Sequence, residues 1–175
     1  ATTFDKWLAS SVSNTLEVGG ENDSYGTGQE LVDGKYYVLS GGNYYLKTGG
    51  DGLEGNVTIE YPIQIKGNVT ICLNGKWIEN VGKTTGSVFE VPSGCTLTLT
   101  DCTDKGRIKC DSNSGVYVNG GTLNLYGGII TGNKGQKGTN NDRYGGGVYV
   151  ASTGTFIVGG KVTITGNKLV SNTNN

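Results

Sequence analysis

The chain has 175 residues, with 14 Lys and Arg against 15 Asp and Glu, no His, 32 Gly, 2 Pro and 4 Cys. A formal charge of −1 gives no long-range attraction to nucleic acid or to an anionic membrane surface, and no apolar run reaches the ~20 residues that span a bilayer as a helix. Without histidine, Ser and Cys nucleophile triads of the usual type are excluded.

Residues 1–35 carry no repeat. Thr2 or Thr3 can cap a short helix in which Phe4, Trp7, Leu8 and Val12 share one face, with Asp5 in the favourable first turn. Such a helix is expected to lie over the first turn of the repeat region. Tyr36 to Leu46 and Val57 to Ile59 read as that first, irregular turn.

From there a three-part phrase recurs. Its clearest copies are Gly115-Val116-Tyr117-Val118, Gly121-Thr122-Leu123-Asn124-Leu125 and Ile130-Thr131-Gly132-Asn133, then Gly147-Val148-Tyr149-Val150, Gly154-Thr155-Phe156-Ile157-Val158 and Ile164-Thr165-Gly166-Asn167. Degraded copies run through Ile63, Ile71 and Ile78, and through Phe89, Leu97 and Ile108. The first segment steps 26, 27 and 32 residues (Ile63, Phe89, Val116, Val148), and the middle one 26, 26 and 33 (Ile71, Leu97, Leu123, Phe156). The polar stretch Lys134 to Tyr144 accounts for the long last step as a loop inserted between two turns.

Within each phrase apolar and polar residues alternate and the pieces are parted by Gly, Asn, Ser or Pro, the pattern of short half-buried strands. Three strands per 26-residue period predict an all-β parallel β-helix of about five turns over 36–167, with the N-terminal helical cap before it and a tail, 168–175, behind it. Alternation sends Phe89, Val91, Val116, Val118, Val148 and Val150 inward, with Ile71, Leu73, Leu97, Leu99, Leu123, Leu125, Phe156 and Val158. Gln64, Glu90, Tyr117 and Tyr149 form one outer row, and Thr70, Thr96, Thr122 and Thr155 another. Few residues after Asn167 are able to close the core; Leu169 and Val170 are the candidates.

The four cysteines lie in the second and third turns. A zinc site would need all four thiolates at spacings of 23, 7 and 8 residues with no CxxC pair, so no metal is expected. Cys72 is placed outward one rung from Thr98, with Cys102 in the turn just beyond, which favours a Cys72–Cys102 disulfide and leaves Cys95 with Cys110. The alternative for Cys95 and Cys110, both at inward positions, is two buried thiols acting as small core residues.

The phrases Ile71-Cys72-Leu73-Asn74-Gly75-Lys76, Leu97-Thr98-Leu99-Thr100-Asp101-Cys102, Gly145-Gly146-Gly147-Val148-Tyr149-Val150 and Ile164-Thr165-Gly166-Asn167 resemble the right-handed parallel β-helix repeats of large surface-exposed or secreted proteins of Gram-positive gut bacteria, the pectate-lyase-like adhesin domains, and the resemblance implies a right-handed parallel β-helix here. The resemblance covers residues 60–167 and implies an extracellular location and a scaffold that binds. It implies no shared catalytic set.

A polysaccharide-cleaving β-helix needs carboxylates stacked on one outer face for general acid and base chemistry or for calcium. The outer positions of the third strand are Glu79, Lys109, Thr131 and Thr165, and no two carboxylates fall on adjacent rungs of any one face. The sequence therefore reads as non-enzymatic and without a cofactor. Contact residues are sought instead in Tyr117, Tyr149 and Tyr126, with Trp77 at a neighbouring corner, and in the insertion with Lys137, Asp142, Arg143 and Tyr144. The partner is expected to be a host or envelope glycan or protein, or further copies of the chain stacked end to end at the last turn. The second case would generate a filament if the rotation does not close.

Overall fold

The computed structural model describes residues 5–9, 15–19, 25–32, 36–46, 56–82, 86–136, 145–151 and 153–170. Sixteen strands and no helix occur among them. Beginning with β4 (Tyr36–Leu46), the chain runs through three columns of strands and returns to the first. Column one stacks the start of β4, the start of β6 (Ile63–Cys72), β8 (Phe89–Pro92), β11 (Val116–Asn119) and β14 (Val148–Val150). Column two stacks the ends of β4 and β6, then β9 (Thr96–Thr100) and the first halves of β12 (Thr122–Thr131) and β15 (Thr155–Thr165). Column three stacks β5 (Asn56–Ile59), β7 (Trp77–Asn80), β10 (Arg107–Cys110) and the second halves of β12 and β15. All of these pairings are parallel.

Alternation places the core. Phe89, Val91, Val116, Val118, Ile71, Leu73, Leu97, Leu99, Leu123 and Leu125 are fully buried. Val148, Val150 and Phe156 are partly buried against them. Val158, expected inside, is exposed, because among the described residues β15 pairs only with β12 and no further turn lies over it.

The register of the first segment is the one the spacing gives: Ile63 opposite Phe89, Phe89 opposite Val116, Val116 opposite Val148. In the middle segment one step differs. Leu97 pairs with Val69 rather than Ile71, and Thr98 rather than Thr96 faces Thr70. A slip of two residues keeps every side chain on its own face, so hydrophobic alternation does not discriminate between the two registers.

The helix expected at the N-terminus is absent among the described residues. Asp5–Ala9 is a strand (β1), antiparallel to β2 (Thr15–Gly19) and parallel to the end of β4 at Tyr44, Tyr45 and Leu46. β2 pairs in turn with β3 (Tyr25–Val32), whose end lies antiparallel to Tyr36 and Tyr37. A helix of two or three turns is marginal by itself, whereas the outer edge of β4 offers unpaired N–H and C=O groups that a strand satisfies. Phe4 and Val12 lie outside the described residues.

The insertion also differs from a plain loop. Lys134–Gln136 forms β13 and pairs parallel with β16 (Lys168–Val170), so the turn is prolonged by three residues on two successive layers. Ile-Thr-Gly-Asn-Lys occurs in both places, at 130–134 and 164–168, and carries the same geometry past the corner.

Cys72 and Cys102 stand at disulfide distance with Cα atoms 6.5 Å apart, the pairing the sequence favours. Cys72 is nevertheless buried, not on the outer surface, with the turn that carries Cys102 closed over it. Cys95 and Cys110 are unbonded, which corrects the second pairing. Cys95 sits at the corner leading into column two, where its carbonyl accepts the Thr122 N–H, while Cys110 ends column three opposite Asn80. Two different corners hold them apart. The Cys110 thiol donates to the Gly86 carbonyl at 3.4 Å, and burial pushes its pKa up. Closing a 30-residue separation stabilises chiefly by restricting the unfolded chain, so Cys72→Ser with Cys102→Ser is expected to lower unfolding free energy by about 3 kcal/mol in urea denaturation, while Cys95→Ser changes it little.

Candidate functional site

Column one carries the site. Its outer row is in register over four layers, Gln64 on Glu90, Glu90 on Tyr117 and Tyr117 on Tyr149. The two tyrosine rings stack with centroids 5.0 Å apart and planes 8° from parallel. The row arises because each Val-Tyr-Val strand turns its two valines to the core and leaves the middle residue outside, while parallel pairing repeats that choice one layer on. It ends at Tyr149, since among the described residues β14 pairs only with β11. Below the rings, burial pushes the Glu90 carboxyl above its usual range.

Tyr126 does not join this row. It stands exposed just before the corner between columns two and three, with its ring against Gly159 of the next layer. Lys137, Asp142, Arg143 and Tyr144 lie outside the described residues. Both ladder tyrosines make further contacts beyond the stacked pair.

Two other clusters lie away from this row. Along column three Lys109 bonds Glu79 on the layer below and reaches Asp111 at 3.3 Å, and Lys134 reaches the same Asp111 oxygen at 3.4 Å. The hydrogen bond from Lys109 to Glu79 raises the Lys109 pKa against the opposing pull of burial. Burial pushes the Asp111 carboxyl up, but the hydrogen bonds and charges of Lys109 and Lys134 outweigh it and leave the pKa below the usual range. Alternating charge on facing positions is the cross-strand pairing of a sheet surface, worth a fraction of a kcal/mol per exposed pair. The outer positions Glu79 and Lys109 were legible in the sequence; Asp111, just past the strand end, was not. Nearby, the Arg107 guanidinium lies 4.3 Å from the Trp77 ring centroid, which assigns Trp77 a cation–π contact within its own sheet.

The second cluster is internal. The side-chain amide of Asn133 donates to the Ile108 carbonyl at 3.3 Å and that of Asn167 to the Ile130 carbonyl at 2.9 Å, each reaching back one layer. The Asn167 side-chain oxygen also accepts from the backbone and side-chain N–H groups of Asn133, at 3.1 and 2.7 Å. The buried Asn133 oxygen lacks the corresponding donors. One layer earlier the buried position after Ile108 is Cys110, whose thiol donates to the Gly86 carbonyl, while Asp111 turns outward to Lys109 and Lys134. These asparagines hold the corner together.

No protein-family model matches the chain, and neither a curated protein nor a solved structure matches it.

Among the described residues, then, the outer surface offers a stacked aromatic pair beside a carboxylate whose charge is disfavoured. Such a surface can lie against a sugar ring or anchor a protein side chain while the carboxyl accepts or donates a hydrogen bond.

Two predictions test these environments. A carboxyl whose folded pKa is raised stabilises the fold when protonated, and that contribution is lost as pH rises through the raised pKa. Glu90→Gln, neutral at every pH, is therefore expected to match the wild type in melting temperature below the usual carboxylate range and to exceed it at neutral pH. Asp111→Asn removes two partly exposed ion pairs worth about 1 kcal/mol or less each. Chemical denaturation at pH 7 is expected to show a destabilisation of about 1 kcal/mol or less.

Proposed function

We propose that this chain is an extracellular, non-enzymatic module built as a right-handed parallel β-helix, a rigid scaffold that binds a glycan or protein of the host or of the bacterial envelope through its outer tyrosine row. The observation that carries this reading is the in-register stack of Tyr117 and Tyr149 above Glu90. Two rings fixed by pairing of their backbones lose little side-chain freedom when a ligand arrives, which is what an aromatic anchor needs. A Cys72–Cys102 bond fits an oxidising compartment. The resemblance to pectate-lyase-like adhesin repeats supports the same location and class. Adhesion suits the scaffold: a solenoid of short strands presents a stiff side wall, and loops between its strands can lengthen without disturbing the core.

The test is a panel of immobilised oligosaccharides and cell-envelope polysaccharides probed with the intact chain, with Tyr149→Ala and Tyr117→Ala beside it. Binding that falls at least about tenfold in both variants, with circular dichroism unchanged, is the expected result, corresponding to about 1.4 kcal/mol for loss of an aromatic anchor. Binding indifferent to both substitutions would remove the tyrosine row from the reading.

A second reading, a self-assembling structural subunit, is favoured by one separate observation. Of the seven exposed large hydrophobic residues among those described, five (Ile157, Val158, Ile164, Leu169 and Val170) lie on β15 and β16.

A further inference from the structure

The last turn is open in two senses. Among the described residues β14, β15 and β16 each pair on one side only, so eleven residues of β15 present a bare backbone edge. The inward set is also uncovered there among the described residues: Val158 is 53% and Ile164 44% exposed. A long, apolar, unpaired edge invites another strand.

The opposite end of the stack does not offer a matching surface. The outer edge of β4 is occupied by β3 at Tyr36 and Tyr37 and by β1 at Tyr44, Tyr45 and Leu46, leaving the four-residue β5 as the uncovered strand on that side among the described residues. A second copy arriving head to tail meets an end covered at Tyr36–Tyr37 and Tyr44–Leu46, where the columns do not continue. Arriving face to face, it meets the same open edge it carries itself.

β15 is built to match its own reverse. Read from either end about Gly160, Thr155-Phe156-Ile157-Val158-Gly159-Gly160-Lys161-Val162-Thr163-Ile164-Thr165 sets Thr155 against Thr165, Phe156 against Ile164, Ile157 against Thr163 and Val158 against Val162. The inward residues thus face inward residues. The backbone agrees. The Thr155 N–H is taken by the Gly121 carbonyl of the layer below, so by the alternation of a parallel ladder Phe156 and Val158 turn their N–H and C=O groups to the open side. On the far side of the corner the Ile129 N–H is taken by the Gly106 carbonyl, which leaves Ile130 to bond β15 and turns Val162 and Ile164 to the open side. Phe156 with Ile164, and Val158 with Val162, are therefore hydrogen-bonded pairs of an antiparallel ladder.

The shape agrees too. Gly160 lies at the bend of β15 with φ 66°, and a side chain there would collide with the Tyr126 carbonyl. In a three-sided cross-section an axis through that corner bisects the opposite side, which is β14, and sets Tyr149 against Tyr149 of the second copy. Charge raises no objection: Lys161 is the one charged residue of β14 and β15, and Asp104 of its own chain pairs with it at 2.5 Å.

We propose that two copies of this chain associate through their last turns about a two-fold axis at Gly160, with β15 pairing antiparallel to itself and the two open cores joined into one. The contact is isologous and closes at two, in contrast to a head-to-tail filament. It rests on the self-assembly reading and specifies its geometry.

Sedimentation velocity from sub-micromolar to hundred-micromolar chain, with small-angle scattering on the same samples, is expected to show a monomer giving way to a dimer and no larger species. Val158→Lys, at an already exposed position, should raise the dimer dissociation constant at least 100-fold with unchanged circular dichroism. The register has its own test, which leaves the facing apolar pairs intact. Ile157→Cys and Thr163→Cys, prepared separately and mixed under oxidation, should form a covalent dimer that neither forms alone. Rods that lengthen with concentration would overturn the two-fold contact and leave self-assembly standing. A monomer at every concentration would overturn both, and a dimer lacking the mixed cross-link would overturn this interface.

Discussion

Each strand of the columns is held by backbone hydrogen bonds to the strand at the same place one turn away, and the other features of the fold derive from that restriction. Parallel pairing puts like on like. Phe89 rests between Ile63 and Val116, Leu97 between Val69 and Leu123, Ile108 between Ile78 and Ile130, and the rows of aliphatic side chains make a core with no contribution from a second layer. The same rule governs polar residues. An asparagine at a corner is tolerable because its neighbour above or below supplies what it lacks, as Asn133 and Asn167 do for one another. Where the row of asparagines stops, with Cys110 at the buried position one layer before Asn133, the Asn133 oxygen is left without a donor. Outside, the rule yields the stacked tyrosines and the alternating charges of column three.

What was legible in the sequence was legible for the same reason. Repetition of Val-Tyr-Val was enough to pair Tyr117 with Tyr149, and the burial of ten named aliphatic and aromatic residues came from a period of two. Other features were hidden for physical reasons of their own. A two-residue slip at Val69 leaves the alternation untouched, because period two cannot distinguish registers that differ by two; only the turn geometry decides. Residues 5–9 satisfy a helical pattern locally, yet the free edge of β4 gives them partners that a short helix in water lacks. The Cys95–Cys110 pairing failed because inward direction does not imply the same corner. The strand at Lys134–Gln136 was overlooked although the five residues Ile-Thr-Gly-Asn-Lys recur there.

Among the described residues the two outermost layers of the stack are paired differently. A parallel stack has no natural stopping point, since each layer exposes the donors and acceptors that the next one needs. At the beginning, the chain turns antiparallel: β1, β2 and β3 pair among themselves and cover the edge of β4 at two places. An antiparallel meander is a sound terminator because its strands no longer lie in register with the repeat, so a further copy finds no continuation of the columns. At β15 no such change of direction occurs among the described residues, and the apolar set reaches the surface.

An edge of that kind selects its partner by the pattern it carries. A strand that alternates in one direction only would accept a parallel neighbour and propagate. β15 instead reads much the same from both directions, with a glycine at its middle where the chain bends. The bend divides the strand into two sides of one corner, and reversing the molecule about that corner exchanges them. Symmetry of sequence and symmetry of shape therefore coincide at Gly160, and they favour closure over growth. The tyrosine row, which ends at Tyr149 on the side opposite that corner, would then continue through the axis into the second copy and present four rings where one chain presents two. In the proposed dimer the ladder on the side of each copy would be lengthened by the contact between their β15 edges.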